Sequence, residues 1–348
     1  MYKFKIVKLK NFILPFILVF FTICLVVFSN SNLKAAKNGL VLWANSVVPS
    51  LFPFFVATEL LSYTNFTYYL GKLLNKFMKP LFNIRGEGSF AFIMGILSGY
   101  PMGAKIAANF RQNNICSKVE CERLLSFTNN SGPLFIIGSV GISLFGNSTI
   151  GFLLLFTHLL ASISVGFLFR FWKKNDSKNF ISSSSNIKNK TIKLSSLGEI
   201  IGNSIKSSIN TILMIGGFVV IFSVVISILN QSGILSGISL MLSPILRSVG
   251  LPAELIKPVL AGIVELTNGV SLVANTHIKA ISVNIVSSSF LLGFGGISVL
   301  LQVFSIISKA GLSIKTYAIG KLLQGIFAAI YTYIAICIVP FLQFNLPI

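Results

Sequence analysis

The chain is short of charge, and of acid above all: eight Asp and Glu stand against 28 Lys and Arg, and charged residues make up only 10% of its 348. With 54% hydrophobic residues, so little charge excludes a soluble domain of this length and implies a polytopic membrane protein. Histidine and cysteine are also scarce. His158 and His277 lie far apart and are read as structural; of Cys24, Cys116, Cys121 and Cys337 only Cys116 and Cys121 are close, in neither a zinc nor a thioredoxin spacing. No metal or other cofactor is expected. A phosphate-binding Walker loop, a dinucleotide fingerprint and a nucleophile with base and orienting group are all missing, so neither an enzyme nor ATP-driven transport is supported. The net charge of +20 does not point to nucleic acid, because the basic residues sit in connections between apolar segments without interleaved aromatics.

What the chain does have is apolar stretches of about 20 residues, the length a helix needs to cross a bilayer, and breaks placed inside others. The run Ser98-Gly99-Tyr100-Pro101-Met102-Gly103-Ala104-Lys105 puts glycine, proline and a cation at bilayer depth. Such a run frees backbone groups that lipid cannot satisfy, so it must face protein or a watery cavity. Glu265-Leu266-Thr267-Asn268-Gly269 stands at the corresponding place in the C-terminal half. Paired interruptions of this kind mark a transporter binding site.

In order, residues 1–38 hold a basic start (Lys3, Lys5, Lys8, Lys10) and an apolar run at 12–28, read as an uncleaved extra span with a cytoplasmic N-terminus. A first repeat at 39–172 comprises a span at 39–62 kinked at Pro49 and Pro53, an interfacial amphipathic helix at 66–84, and a re-entrant hairpin at 89–111. An unwound span opening with Ser126 to Pro133 and a span at 150–172 complete it. Residues 173–196, rich in Lys, Ser and Asn, form a basic cytoplasmic linker. The second repeat at 197–348 follows the same outline: a span at 208–229, a short segment at 234–249, a hairpin at 254–279, a glycine-broken span from Ser289, and a last span at 317–340. An odd number of crossings per repeat makes the halves inverted, and the bias of Lys and Arg agrees: only Lys34, Lys37, Arg247, Lys257 and Lys279 fall outside. The expected fold is thus an all-α polytopic membrane protein, an inverted repeat with two re-entrant helical hairpins and two unwound transmembrane helices.

Leu97 to Lys105, Leu124 to Pro133 and Glu265 to Gly269 resemble the sporulation integral membrane protein YlbJ family, and the likeness runs from about Leu40 to the C-terminus. Families with the nucleoside-recognition (Gate) domain, among them concentrative nucleoside transporters, are more distant relatives. The resemblance implies a concentrative-nucleoside-transporter-like fold and a role in endospore formation: moving dipicolinic acid from mother cell toward forespore across the outer forespore membrane.

A flat dicarboxylate needs cationic or helix N-terminal donors, amides and a slot for its ring. The expected substrate-binding residues are Ser98, Gly99, Tyr100 and Lys105 in the first hairpin, Thr128, Asn129, Asn130 and Ser131 in the unwound span, and Thr267 and Asn268 in the second hairpin. Lys105 either meets substrate or snorkels to the interface. Glu265 is read as binding a coupling cation (H+ or Na+), relaying protons, or pairing with Lys105. Asn129 and Asn130 have capping as an alternative role, whereas Glu59, Glu87, Glu120, Glu122 and Glu254 are placed at solvated span ends. The expected partners are the small-molecule substrate and the lipid bilayer, with no nucleic acid. The oligomeric state stays open. So do two other readings: a transporter for nucleosides or other small solutes, and an assembly protein of the forespore membrane.

Overall fold

The computed structural model describes residues 2–173, 197–248, 250–278 and 280–339. Nearly all of the expected linker, Lys279 of the second hairpin and Pro340 of the last span lie outside them. Among the described residues the regular structure is entirely helical. Helix α1 (Tyr2–Val27) leads into α2 (Ser29–Leu42), which continues through a wide π turn (Trp43–Val47) into α3 (Val48–Ser62). The expected span at 39–62 is therefore the second part of a longer apolar stretch, Ser29–Ser62. Pro49 displaces the carbonyl four residues before it, that of Asn45, which lies inside the π turn, where the ladder is already widened.

Helix α4 (Phe66–Phe82) is amphipathic as expected. Gly71, Met78 and Phe82 pack inward, while Lys72, Lys76 and Lys79 stand outside beside Leu73 and Phe77, the mixture a helix at the membrane interface carries. It ends at Asn83 in the left-handed region. Two helices of 11 residues follow, α5 (Gly88–Ser98) and α6 (Met102–Gln112), separated at Gly99-Tyr100-Pro101, where Gly99 has φ +77°. At 1.5 Å per residue each arm is about 16 Å long, half a hydrocarbon core. Helix α7 (Lys118–Thr128) starts at a capping box formed by Ser117 and Glu120 and stops at Asn129; after Pro133 the chain resumes as a π-helix, Leu134–Leu144. Helix α8 (Ser148–Phe169) closes the first half.

The second half begins with α9 (Leu197–Gln231), 11 residues earlier than the expected 208, and continues with α10 (Ile234–Ser248). Helices α11 (Ala253–Val264) and α12 (Leu266–Ala274) meet at Glu265. Helices α13 (Ile281–Phe294) and α14 (Gly296–Ile307) meet at Gly295, φ +84°, and a short 3-10 turn leads to α15 (Ile314–Ile338). Among the described residues five stretches are long and apolar enough to cross a membrane: Ser29–Ser62, Ser148–Phe169, Leu197–Gln231, Ile281–Ala310 and Ile314–Ile338.

The two halves interlock. One core cluster joins Phe55, Phe90, Leu124 and Phe127 to Ile215, Val219, Val303 and Tyr317; another joins Phe135, Ile136 and Leu154 to Leu255, Leu266, Val270 and Leu291. Glycine brings backbones together at the breaks. A Cβ at Gly95 or Gly103 would stand 1.8 or 2.3 Å from the Thr128 carbonyl oxygen, so both arms of the α5/α6 pair close over the end of α7. A Cβ at Gly269 would stand 1.9 Å from the Cα of Gly262, which locks α11 to α12 in the same manner.

Candidate functional site

The breaks of the two halves face one cavity. Tyr100 and Gly132 come from the first half, Glu265 and Thr267 from the second, and Leu51, Phe135, Val219, Val299 and Gln302 complete the wall. Its volume is about 10 Å³, at the limit for a single water. Beside it, the Ser131 hydroxyl donates to the Leu292 carbonyl of α13 at 3.4 Å, which ties the unwound span of the first half to the second half.

Glu265 closes the second break by itself. Its backbone is extended (φ −143°, ψ 119°), and its carboxylate accepts from the backbone N–H of Thr267 at 3.1 Å and of Asn268 at 2.8 Å. The Asn268 side chain donates to the same carboxylate and to Ser223 on α9, both at 2.8 Å. An anion at the positive end of α12 is well placed. It does not pair with Lys105. That lysine pairs with Glu59 of α3 and donates to Ser207 (2.8 Å) and Thr211 (3.3 Å) of α9. Lys105 thus has protein partners in place of Glu265, and its side chain stays 29% exposed beside Asn109 and Lys309. Helix α6 turns its ammonium toward the α3/α9 seam, away from the cavity.

Glu59, Glu120 and Glu122, expected at solvated ends, are occupied inside the protein. Glu120 pairs with Arg85 at 3.1 Å while completing the Ser117 capping box, and Glu122 accepts from the backbone N–H of Ser313 at 3.1 Å. Neighbouring elements pack over these positions, so the carboxylates take partners across the fold in place of water.

A second polar cluster surrounds the break after α7. The Asn129 side chain accepts from the Ala104 N–H (3.4 Å) and donates to the Tyr317 hydroxyl (2.7 Å). Asn130 donates to the Phe127 carbonyl (2.9 Å) and to Ser162 (3.3 Å), and accepts from Gln324 (2.7 Å). Lys321 of α15 donates to the Asn129 carbonyl (3.2 Å) and to Gln324 (2.9 Å). His158, expected to be only structural, accepts the Ser131 N–H at 3.3 Å and so belongs to this cluster. Asn129, Asn130, Ser131, His158, Lys321 and Gln324 are all buried. Two expected residues point elsewhere: Ser98 bonds Thr58 of α3 at 2.7 Å, and the Thr128 hydroxyl folds back on the Leu124 carbonyl.

The residues that sequence reasoning missed are Gln302, Tyr317, Lys321 and Gln324. Lys321 and Gln324, three apart on one face of an otherwise apolar helix, were the available signal. Gln302 is 1% exposed, and its side-chain oxygen has no partner at the cavity wall.

A bundle of long apolar helices, with the shorter pairs α5/α6 and α11/α12 meeting at its centre, defines a class: an integral, multi-pass membrane protein. The family model described as Gate, nucleoside recognition, matches residues 44–169 and again residues 212–339. Over 336 residues the chain is 36% identical to the sporulation integral membrane protein YlbJ of Bacillus subtilis (strain 168), covering 93% of this chain and 82% of that one. The chain belongs to the Gate family, and within it to that of the sporulation integral membrane protein YlbJ. Among solved structures, CNTnw in an inward-facing substrate-bound state aligns with TM-score 0.48 and 14% identity over 90% of this chain and 85% of that one. Its outward-facing variant structure gives 0.48 and 13% over 90% and 86%.

Proposed function

We propose that the protein is a transporter that carries dipicolinate from the mother cell toward the forespore by alternating access, in the outer forespore membrane with its N-terminus in the mother-cell cytoplasm. One observation carries the transport reading: breaks from both halves converge on one cavity with polar groups in its wall. The double match of the family model supports two related halves working against each other. Membership in the YlbJ family supports sporulation as the setting. The substrate site is assigned to Tyr100, Ser131, Thr267, Asn268 and Gln302, with Asn129 and Asn130 shaping the break beside it. Glu265 repels a dicarboxylate unless protonated or bound to a cation, which makes it the coupling residue.

The test is uptake of labelled dipicolinate into vesicles holding the purified protein, under imposed proton or sodium gradients. Gradient-driven uptake that Glu265→Gln makes indifferent to the gradient supports the reading; no uptake under any gradient overturns it. In a sporulating host, Asn129→Ala lowers spore dipicolinate while its synthesis in the mother cell continues. A second reading has its own observation, since the cavity wall carries a carboxylate and no cation, a lining that suits a neutral solute with several N–H or O–H donors such as a nucleoside. A panel of nucleosides in the same vesicles separates the two. An assembly role predicts normal function after site substitutions and loss of function when residues 173–196 are deleted.

A further inference from the structure

Two lysines reach into the helical bundle, Lys105 half-buried and Lys321 buried, and the fold treats them differently. Lys105 has a carboxylate, Glu59, as its partner. Lys321 is 1% exposed, lies about two turns into α15, and donates only to neutral oxygens, those of Asn129 and Gln324. Among the described residues no carboxylate lies within 4 Å of its ammonium: Glu59 is on Lys105, Glu120 on Arg85, and Glu265 on the amides that start α12. The broken end of α7 offsets about half a charge, because a helix C-terminus carries roughly −0.5. The remainder is uncompensated. A cation retained at such a place without a counter-ion is costly, and a core built only for stability would carry an apolar residue there.

The position of Lys321 is as telling as its partners. Its ammonium reaches the break after α7, while a Cβ at Gly295 would stand 3.6 Å from its Cε, so its stem lies along the break between α13 and α14. Both unwound spans meet at this side chain. Three residues beyond Asn129 the chain reaches Gly132 in the cavity wall, so the Asn129 and Gly132 Cα atoms are at most about 11 Å apart, and the ammonium stands one hydrogen bond farther on.

We propose that Lys321 recognises the negative charge of the substrate, an organic carboxylate, which displaces the Asn129 carbonyl or Gln324 from the ammonium when the break opens. This rests on the transport reading above and deepens it by naming the residue that meets the substrate's charge. Glu265 and Lys321 then divide the work: the carboxylate answers the coupling cation and the ammonium answers the substrate.

The experiment is binding to the purified full chain in nanodiscs, with dipicolinate, its uncharged dicarboxamide and uridine as probes, for the wild type, Lys321→Met and Lys321→Arg. The wild type is expected to prefer dipicolinate to the dicarboxamide at least tenfold. Lys321→Met abolishes that preference by weakening dipicolinate alone, and Lys321→Arg keeps it. A dipicolinate affinity unchanged in Lys321→Met, or an equal loss for both probes, overturns the assignment and leaves transport standing. A wild type that binds uridine and no dicarboxylate overturns the anionic substrate and the role of Lys321 together. Should Lys321→Met fail to fold, Lys321→Arg decides: loss of the charge preference in that variant sinks the proposal.

Discussion

The two hairpin breaks solve one problem with different residues. Where α5 gives way to α6, no side chain of the break itself caps the new helix; the Ala104 N–H is met instead by Asn129, which belongs to the neighbouring broken span. Where α11 gives way to α12, Glu265 supplies the cap from within the break. The first hairpin is thus braced by another element, and both its arms press on the Thr128 carbonyl. The second supplies its own cap, with its arms locked at Gly262 and Gly269 and one outside tie, from Asn268 to Ser223 of α9. A break held by its neighbour moves with that neighbour, whereas a break holding itself can move as a unit.

Substitutions that disturb one bracing and spare the other test this contrast. The largest effect belongs to Gly103→Ala and Gly269→Ala, whose added methyl meets backbone at 2.3 and 1.9 Å; each costs about 3 kcal/mol or more, read as thermal unfolding of the purified protein. Only Gly103→Ala should also loosen the end of α7, seen as faster amide exchange at Thr128 and Asn129. Next come Glu59→Gln and Lys105→Met, which in a double-mutant cycle should show a coupling of about 1–3 kcal/mol; additivity would remove the ion pair as a tie between α6 and α3. Glu265→Ala removes a cap worth about 1 kcal/mol and should leave the first hairpin's exchange rates untouched, whereas Asn129→Ala should raise those of α6. The smallest effect is that of Gly217→Ala on α9, where nothing stands within 4 Å of the added methyl; unfolding should shift by less than about 0.5 kcal/mol.

The positions of the breaks were legible in the sequence because glycine, proline and an acid within an apolar run have few structural uses at bilayer depth. Gly99 to Pro101 and Glu265 fall where that reasoning puts them. Partnerships were not legible. Lys105 and Glu59 are 46 residues apart, and Asn129 and Tyr317 188 apart, so no local pattern joins them. His158 reads as an isolated polar residue in an apolar helix, and the Lys321 and Gln324 pair has no visible partner, until packing sets α8 and α15 against the end of α7. The acids at 59, 120 and 122 depart from a solvated placement for the same reason: distance from a span's centre says little about burial once helices of unequal length cross.

The narrowness of the central cavity has a consequence for the membrane that holds this protein. With space for one water at most and apolar side chains on most of its wall, the point where the breaks of the two halves meet is plugged. That plug stands in the way of ions held at different concentrations on the two sides of the membrane, a barrier made of the same residues as the proposed site.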